Sequence, residues 1–242
     1  PEVRATFGPL EVVRSHASLA NLSAGQQQLL DLAGDGQVDL VQLAGPMPGF
    51  YERTHDERWE SFRNFKACPN LDWSDQNLRF VDLTGDGHAD ILITEDSIFT
   101  WYPSLAEDGF GQAKFTHQIG DEESCPRLVF ADGTQSVYLS DMSGDGLSDL
   151  VRIRNGEICY WPNLGYGRFG ARITMKDAPW YDPPDLFDQR RIRLADIDGS
   201  GSTDIIYLGQ DVVRIYFNRS GNSWSEAREL KQFPKVDNLA AV

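Results

Sequence analysis

The sequence is poor in cysteine, histidine and basic residues, and it has no long apolar run. Its 3 cysteines, Cys68, Cys125 and Cys159, are widely spaced and form no C-x-x-C pair. That sets aside a zinc ribbon or a thioredoxin-type dithiol, and in a chain of 242 residues it also sets aside a disulfide-stapled framework. They read as partly buried thiols. No stretch reaches the roughly 18 consecutive apolar residues that a membrane-spanning helix needs. Lys and Arg number 22 against 37 Asp and Glu, a net charge of -15. Such a chain lacks the basic face for sequence-independent nucleic-acid binding and for docking on anionic lipid. The signatures of catalysis are missing too: no G-x-S-x-G elbow, no H-E-x-x-H helix and no P-loop. The 4 histidines, His16, His55, His88 and His117, are scattered. With 40% hydrophobic and 24% charged residues the composition is that of a globular chain.

What the sequence does have is a repeat. Four segments share one pattern: LLDLAGDGQVDLVQL from Leu29, RFVDLTGDGHADILIT from Arg79, YLSDMSGDGLSDLVRI from Tyr138 and RLADIDGSGSTDIIYL from Arg193. Each has an aspartate, glycines at the fourth and sixth places and a second aspartate at the ninth. The first aspartates, Asp31, Asp82, Asp141 and Asp196, stand 51, 59 and 55 residues apart. A period of that size fits propeller blades better than the 20–35 residues, roughly, of solenoid repeats. Apolar, β-branched runs flank each loop, and Asn155-Gly156 is a strong two-residue hairpin signal. A further short strand follows, as at Ala113 to His117 and Ala171 to Met175. The fold expected is all-β, a β-propeller of four-stranded blades. About four repeats are present (approximately 18–70, 71–127, 128–185 and 186–242) in a single propeller region, as part of a larger six- to seven-bladed ring.

The first unit is the least regular. Pro46 and Pro48 exclude a central strand there, and Phe50 to Glu52 with Arg58 to Phe62 would supply its outer strands. Ala17 to Leu32 is the only modest helical stretch, interrupted at Ser23 to Gly25. The last residues, Lys235 to Val242, read as the lead-in to a fifth repeat, which would make the chain a fragment of a longer array.

The acidic loops carry the only readable chemistry. Carboxylates at the first, fifth and ninth places, with a main-chain carbonyl at the seventh, meet part of the demand of calcium, which takes about six to eight oxygens from a flexible loop. The candidate ligands are Asp31, Asp35 and Asp39; Asp82, Thr84, Asp86 and Asp90; Asp141, Ser143, Asp145 and Asp149; and Asp196, Asp198, Ser200 and Asp204. The third place decides between loops: Ala33 makes the first poorer, while Thr84 and Ser143 favour the second and third. Only the fourth has a carboxylate there, Asp198, and it gives up one at the fifth place, Ser200. The alternative is a metal-free corner, in which the first aspartate accepts main-chain N–H bonds, the ninth ties the far end and the glycines supply positive φ. Either way the recurrence of the acids argues for a structural role rather than a single active site, and no enzyme activity is expected.

Trp101, Trp161 and Trp224 stand at near-equivalent places in their units. They read first as blade-to-blade packing, and second as sugar-stacking shelves.

The D-x-x-G-D-G-x-x-D-L phrases resemble the FG-GAP or VCBS repeats of integrin-like propellers. DMSGDGLSDLVRIRNGEICYWPNLGYGRFG (Asp141 to Gly170) and DIDGSGSTDIIYLGQDVVRIYFNRSGNSWSEA (Asp196 to Ala227) are similar to the propeller region of the B component of bacterial Tc (toxin complex) insecticidal toxins. They also resemble the N-terminal part of the Salmonella plasmid virulence B protein. The likeness runs from about Leu78 onward and is weaker before it. The resemblance implies a secreted virulence module whose partners are the A and C components of the toxin. It would dock the B–C shell onto the pore-forming A component and gate passage of the toxic fragment. An integrin-like or lectin-like, calcium-stabilised adhesion module binding glycan or protein is the alternative.

Overall fold

A computed structural model describes residues 9, 18, 22, 26–56, 58–95, 97–131, 136–183 and 186–230. The expectation of a lead-in at 235–242 lies outside them. Among the described residues the chain is all-β, built of four four-stranded antiparallel sheets, the blades of a β-propeller. The first blade holds β1 (Gln27–Leu30), β2 (Asp39–Gln42), β3 (Gly49–Tyr51) and β4 (Arg63–Asn64). The second holds β5 (Leu78–Val81), β6 (Asp90–Thr94), β7 (Ile98–Tyr102) and β8 (Lys114–His117). The third holds β9 (Ser136–Ser140), β10 (Asp149–Arg154), β11 (Glu157–Trp161) and β12 (Ile173–Met175). The fourth holds β13 (Ile192–Ala195), β14 (Asp204–Leu208), β15 (Val213–Tyr216) and β16 (Arg228–Leu230). Each is a meander in chain order. The only helical pieces described are short 3-10 turns at Ala106–Asp108 and Gln189–Arg191, so no helix is long and apolar enough to cross a membrane.

The chain forms two compact units. One contains the first blade together with Leu105–Gly109, and the other contains Asp75–Ser104 and everything described from Phe110 on.

In the second unit the core lies between consecutive blades. Strand period two sends alternate side chains to opposite faces, and β10 and β11 are buried on both. Leu150, Cys159 and Trp161 join Leu83, Leu92, Phe99 and Trp101 of the second blade. Val151, Ile153, Ile158 and Tyr160 join Ile205, Tyr207, Tyr216 and Trp224 of the fourth. This is why DLVRIR in β10 reads as a continuous run rather than an alternating one. Arg152 is the polar exception, 3% exposed. Its guanidinium meets Glu122 and Glu157 and lies 5.5 Å from the Trp161 ring centroid.

Two expectations about the first unit need correction. Gln27–Leu30, inside the stretch read as helical, is strand β1, paired from Gln27↔Gln42 to Leu30↔Asp39. Tertiary pairing overrides the local leaning there. The outermost strand is Arg63–Asn64 rather than Arg58 to Phe62, of which only Trp59 makes an isolated bridge, to Arg53. Gly49 explains the register. A side chain at that position would collide with the Arg63 carbonyl, so the two backbones meet only where glycine stands. Arg63 then lays its guanidinium 4.6 Å from the Phe50 ring and pairs with Glu52 and Glu107.

Candidate functional site

The acidic loops join the first and second strands of every blade. The register closes each loop between the residue before the first aspartate and the ninth-place aspartate: Leu30↔Asp39, Val81↔Asp90, Ser140↔Asp149 and Ala195↔Asp204. Inside each loop the fourth- and sixth-place glycines all have positive φ, from 69° at Gly34 to 89° at Gly146 and Gly201. That conformation costs a Cβ-bearing residue roughly 1 kcal/mol or more. It turns successive amides inward onto the first aspartate. In the third loop, Asp141 Oδ1 accepts from Gly144 N at 2.7 Å and Oδ2 accepts from Gly146 N at 2.7 Å. Asp31, Asp82 and Asp196 repeat this at 2.7–2.9 Å.

The ninth-place aspartates do something else. Asp39, Asp90, Asp149 and Asp204 are at most 1% exposed. In each, Oδ2 accepts from the second-place amide: Leu32, Leu83, Met142 and Ile197, at 3.0–3.2 Å. In each, Oδ1 accepts from an amide 14 residues downstream: Arg53, Ser104, Asn163 and Asn218, at 2.7–2.9 Å. One buried carboxylate therefore ties its own loop to the chain leaving the third strand. The downstream amides went unrecognised in the sequence. Their signal was the constant spacing of 14 and the asparagines of Trp161-Pro162-Asn163 and Tyr216-Phe217-Asn218.

Burial dominates the titration of Asp39, Asp90 and Asp149. It pushes the carboxyls of Asp90 and Asp149 up to about 6 against the opposing pull of their two amide donors, and it raises Asp39 as well. A raised folded-state pKa means that the folded chain holds protons that the unfolded chain has released. The stability contributed is complete below the ordinary carboxylate range near 4 and is lost as pH rises through about 6. The midpoint of urea unfolding should therefore fall between pH 5 and pH 7, and the Asp90 and Asp149 carboxyl carbons should titrate in that window by NMR.

Not all the predicted metal ligands come together. Among the described residues one group of three carboxylates converges, Asp196, Asp198 and Asp204, with ligand atoms within 4.8 Å of one another. It lies in the fourth loop rather than in the second or third, which the hydroxyl at the third place had favoured. Thr84 Oγ1 is turned back onto Asp82 at 3.4 Å, while Ser143 Oγ is buried without a partner. The fifth-place aspartates Asp35, Asp86 and Asp145 each accept from the amide two residues on, at 2.8–2.9 Å. Ser200 Oγ lies 3.1 Å from Ser202 Oγ. The fourth loop thus fits part of a calcium shell, and every loop is already closed by its own amides.

The corners also link successive blades of the second unit. Leu83 O accepts from Tyr166 N at 2.8 Å, and Met142 O accepts from Asn218 Nδ2 at 2.9 Å. Asp141 O accepts from Thr203 N at 2.8 Å. The acidic corners of the second and third blades are therefore seats for the turn after the third strand of the next blade. The three repeated tryptophans are packing residues: Trp101, Trp161 and Trp224 are 2%, 0% and 1% exposed, which leaves no face for a stacked sugar. The exposed indole is Trp180, in the connection from the third to the fourth blade.

No protein-family model matches the chain, and no match was found among curated proteins. Among solved structures the chain is similar to one in the Photorhabdus luminescens Tc holotoxin pore, at 31% identity and a TM-score of 0.78 over 97% of this chain. A TcdB2–TccC3–Cdc42 crystal structure matches at 26% identity and a TM-score of 0.50 over 91%. The chain spans only 10% and 13% of those two chains. An Agrocybe aegerita lectin that recognises non-reducing terminal N-acetylglucosamine matches at 21% identity and a TM-score of 0.56, a likeness of fold alone.

Proposed function

We propose that this chain is a non-catalytic β-propeller module of a secreted bacterial toxin complex, and that it acts through its surface as a docking and gating element. The observation that carries the reading is the likeness to the holotoxin chain at a TM-score of 0.78 over 97% of the present one. The corner geometry is consistent with it. The first- and ninth-place carboxylates accept from backbone amides in every blade, so their chemistry is that of a staple. In this reading the module belongs to a B-type component, seats its shell on a pore-forming A component and opens for a toxic C-component fragment. Its net charge of -15 steers it toward a basic surface.

The direct test is binding of the chain to a purified A component by biolayer interferometry at two ionic strengths. Saturable binding that weakens with salt supports the reading; absence of binding, with a folded chain, overturns the docking role. Calcium is part of the same proposal, held by Asp196, Asp198 and Asp204 and contributing rigidity. Added calcium should raise the melting temperature, and Asp198→Asn should abolish the rise. An unchanged melt after chelation removes calcium from the account.

A further inference from the structure

A cavity of about 790 Å³ lies between the segment that follows β12 and the stretch from β15 into β16. Its size is within the range, about 300–1,000 Å³, of small-ligand sites. Main-chain bonds fix its two sides against each other: Lys176 N donates to Asn222 O at 2.9 Å, and Trp224 N donates to Lys176 O at 3.1 Å. Two tryptophans line it. Trp224 is the buried one, and its Nε1–H has no partner among the described residues. Trp180 is 68% exposed, yet it is braced. Gly156 N donates to Pro179 O at 2.9 Å, and the indole edge sits so close to Gly156 that a Cβ there would meet it at 2.6 Å. The hairpin glycine thus holds one edge of the ring and leaves most of its area in water. Two carboxylates, Asp177 and Glu226, and two guanidiniums, Arg219 and Arg228, complete the charged part of the lining, so its charges balance. Among the described residues none of the four forms an ion pair.

We infer that this cavity binds carbohydrate, a neutral pyranose laid on the indole of Trp180 with its hydroxyls met by the four charged side chains. The C–H face of such a ring is apolar and suits the face of an indole, a large apolar area that Trp180 otherwise keeps in water. Each hydroxyl both donates and accepts, so one sugar serves carboxylates and guanidiniums at once, and hydrogen bonds to ionised groups are the stronger kind. A ligand with net charge would face like charge on part of the wall. The shelf is therefore Trp180 and not the repeated tryptophans, of which Trp224 only supports the cavity from within the core.

Isothermal titration of the whole chain with maltotriose, cellotriose and triacetylchitotriose tests this. At least one trisaccharide should bind, and Trp180→Ala should weaken that binding by about tenfold. Arg219→Ala, at an exposed position, should weaken the same sugar while the chain stays folded. Binding of none of the three, undiminished binding by folded Trp180→Ala, or tighter binding of a glutamate or lysine tripeptide than of any of the sugars overturns the proposal. Should Trp180→Ala fail to fold, the Nε1–H resonance of Trp180 in the unsubstituted chain answers the question. It must shift as the sugar is added, and an unmoved resonance overturns the proposal.

Discussion

Replacing Asp149 with alanine is expected to cost about 2–6 kcal/mol of stability, enough to unfold much of a domain whose total is about 5–15 kcal/mol. The carboxylate is fully buried and is the acceptor for two amides, Met142 N at 3.0 Å and Asn163 N at 2.9 Å. Truncation leaves both buried donors without their acceptor, at about 1–3 kcal/mol each. Asp149→Asn should recover part of the loss, because the amide oxygen still serves one donor while its nitrogen confronts the other. The internal control is Asp145→Ala in the same loop. Asp145 is exposed and, among the described residues, accepts only from Leu147 N, so its loss should stay below about 1 kcal/mol. Urea unfolding of the three variants checks the order. Equal costs at Asp149 and Asp145 would falsify the assignment of the ninth-place aspartate as the tie between corner and third strand.

Trp161→Ala should cost about 3–5 kcal/mol. The side chain is 0% exposed in the core shared by the second and third blades. Its Nε1 donates to Glu122 O at 2.9 Å, which anchors the connection between those blades. The damage should be directional. Hydrogen exchange should quicken in β6, β7 and β11, which face that core, more than in β14 and β15, which pack on the opposite face of the third blade. Trp161→Phe retains most of the apolar contact but leaves Glu122 O unpaired, and an intermediate loss is expected. Uniform quickening in all three blades would mean that the core between blades is a single cooperative unit.

Much of the architecture was legible because the repeat is a local code. Aspartate, glycine, glycine and aspartate at fixed places within nine residues report bonds made within those nine residues, and the strands on either side follow from β-branched runs and a tight turn at Asn155-Gly156. The irregular first blade was less legible. Its fourth strand is set by a contact between Gly49 and the Arg63 backbone, which no periodicity encodes. Which loop brings three carboxylates together was not legible for the same reason: residue types at the third place do not show that the fold turns Thr84 onto Asp82 and brings Asp196, Asp198 and Asp204 together.

By itself, then, the amino-acid order determined the number of units, the strand class of each and the acidic corner between first and second strands, since all are short-range consequences of backbone conformation. Tertiary structure decided the rest: which amide 14 residues away each ninth-place carboxylate holds, which face each tryptophan buries, and that Trp180 and Trp224 line one cavity. The first depends on how the third strand folds back within its own blade; the other two depend on how blades stack, and stacking joins residues that are distant along the chain and have no fixed spacing to reveal them.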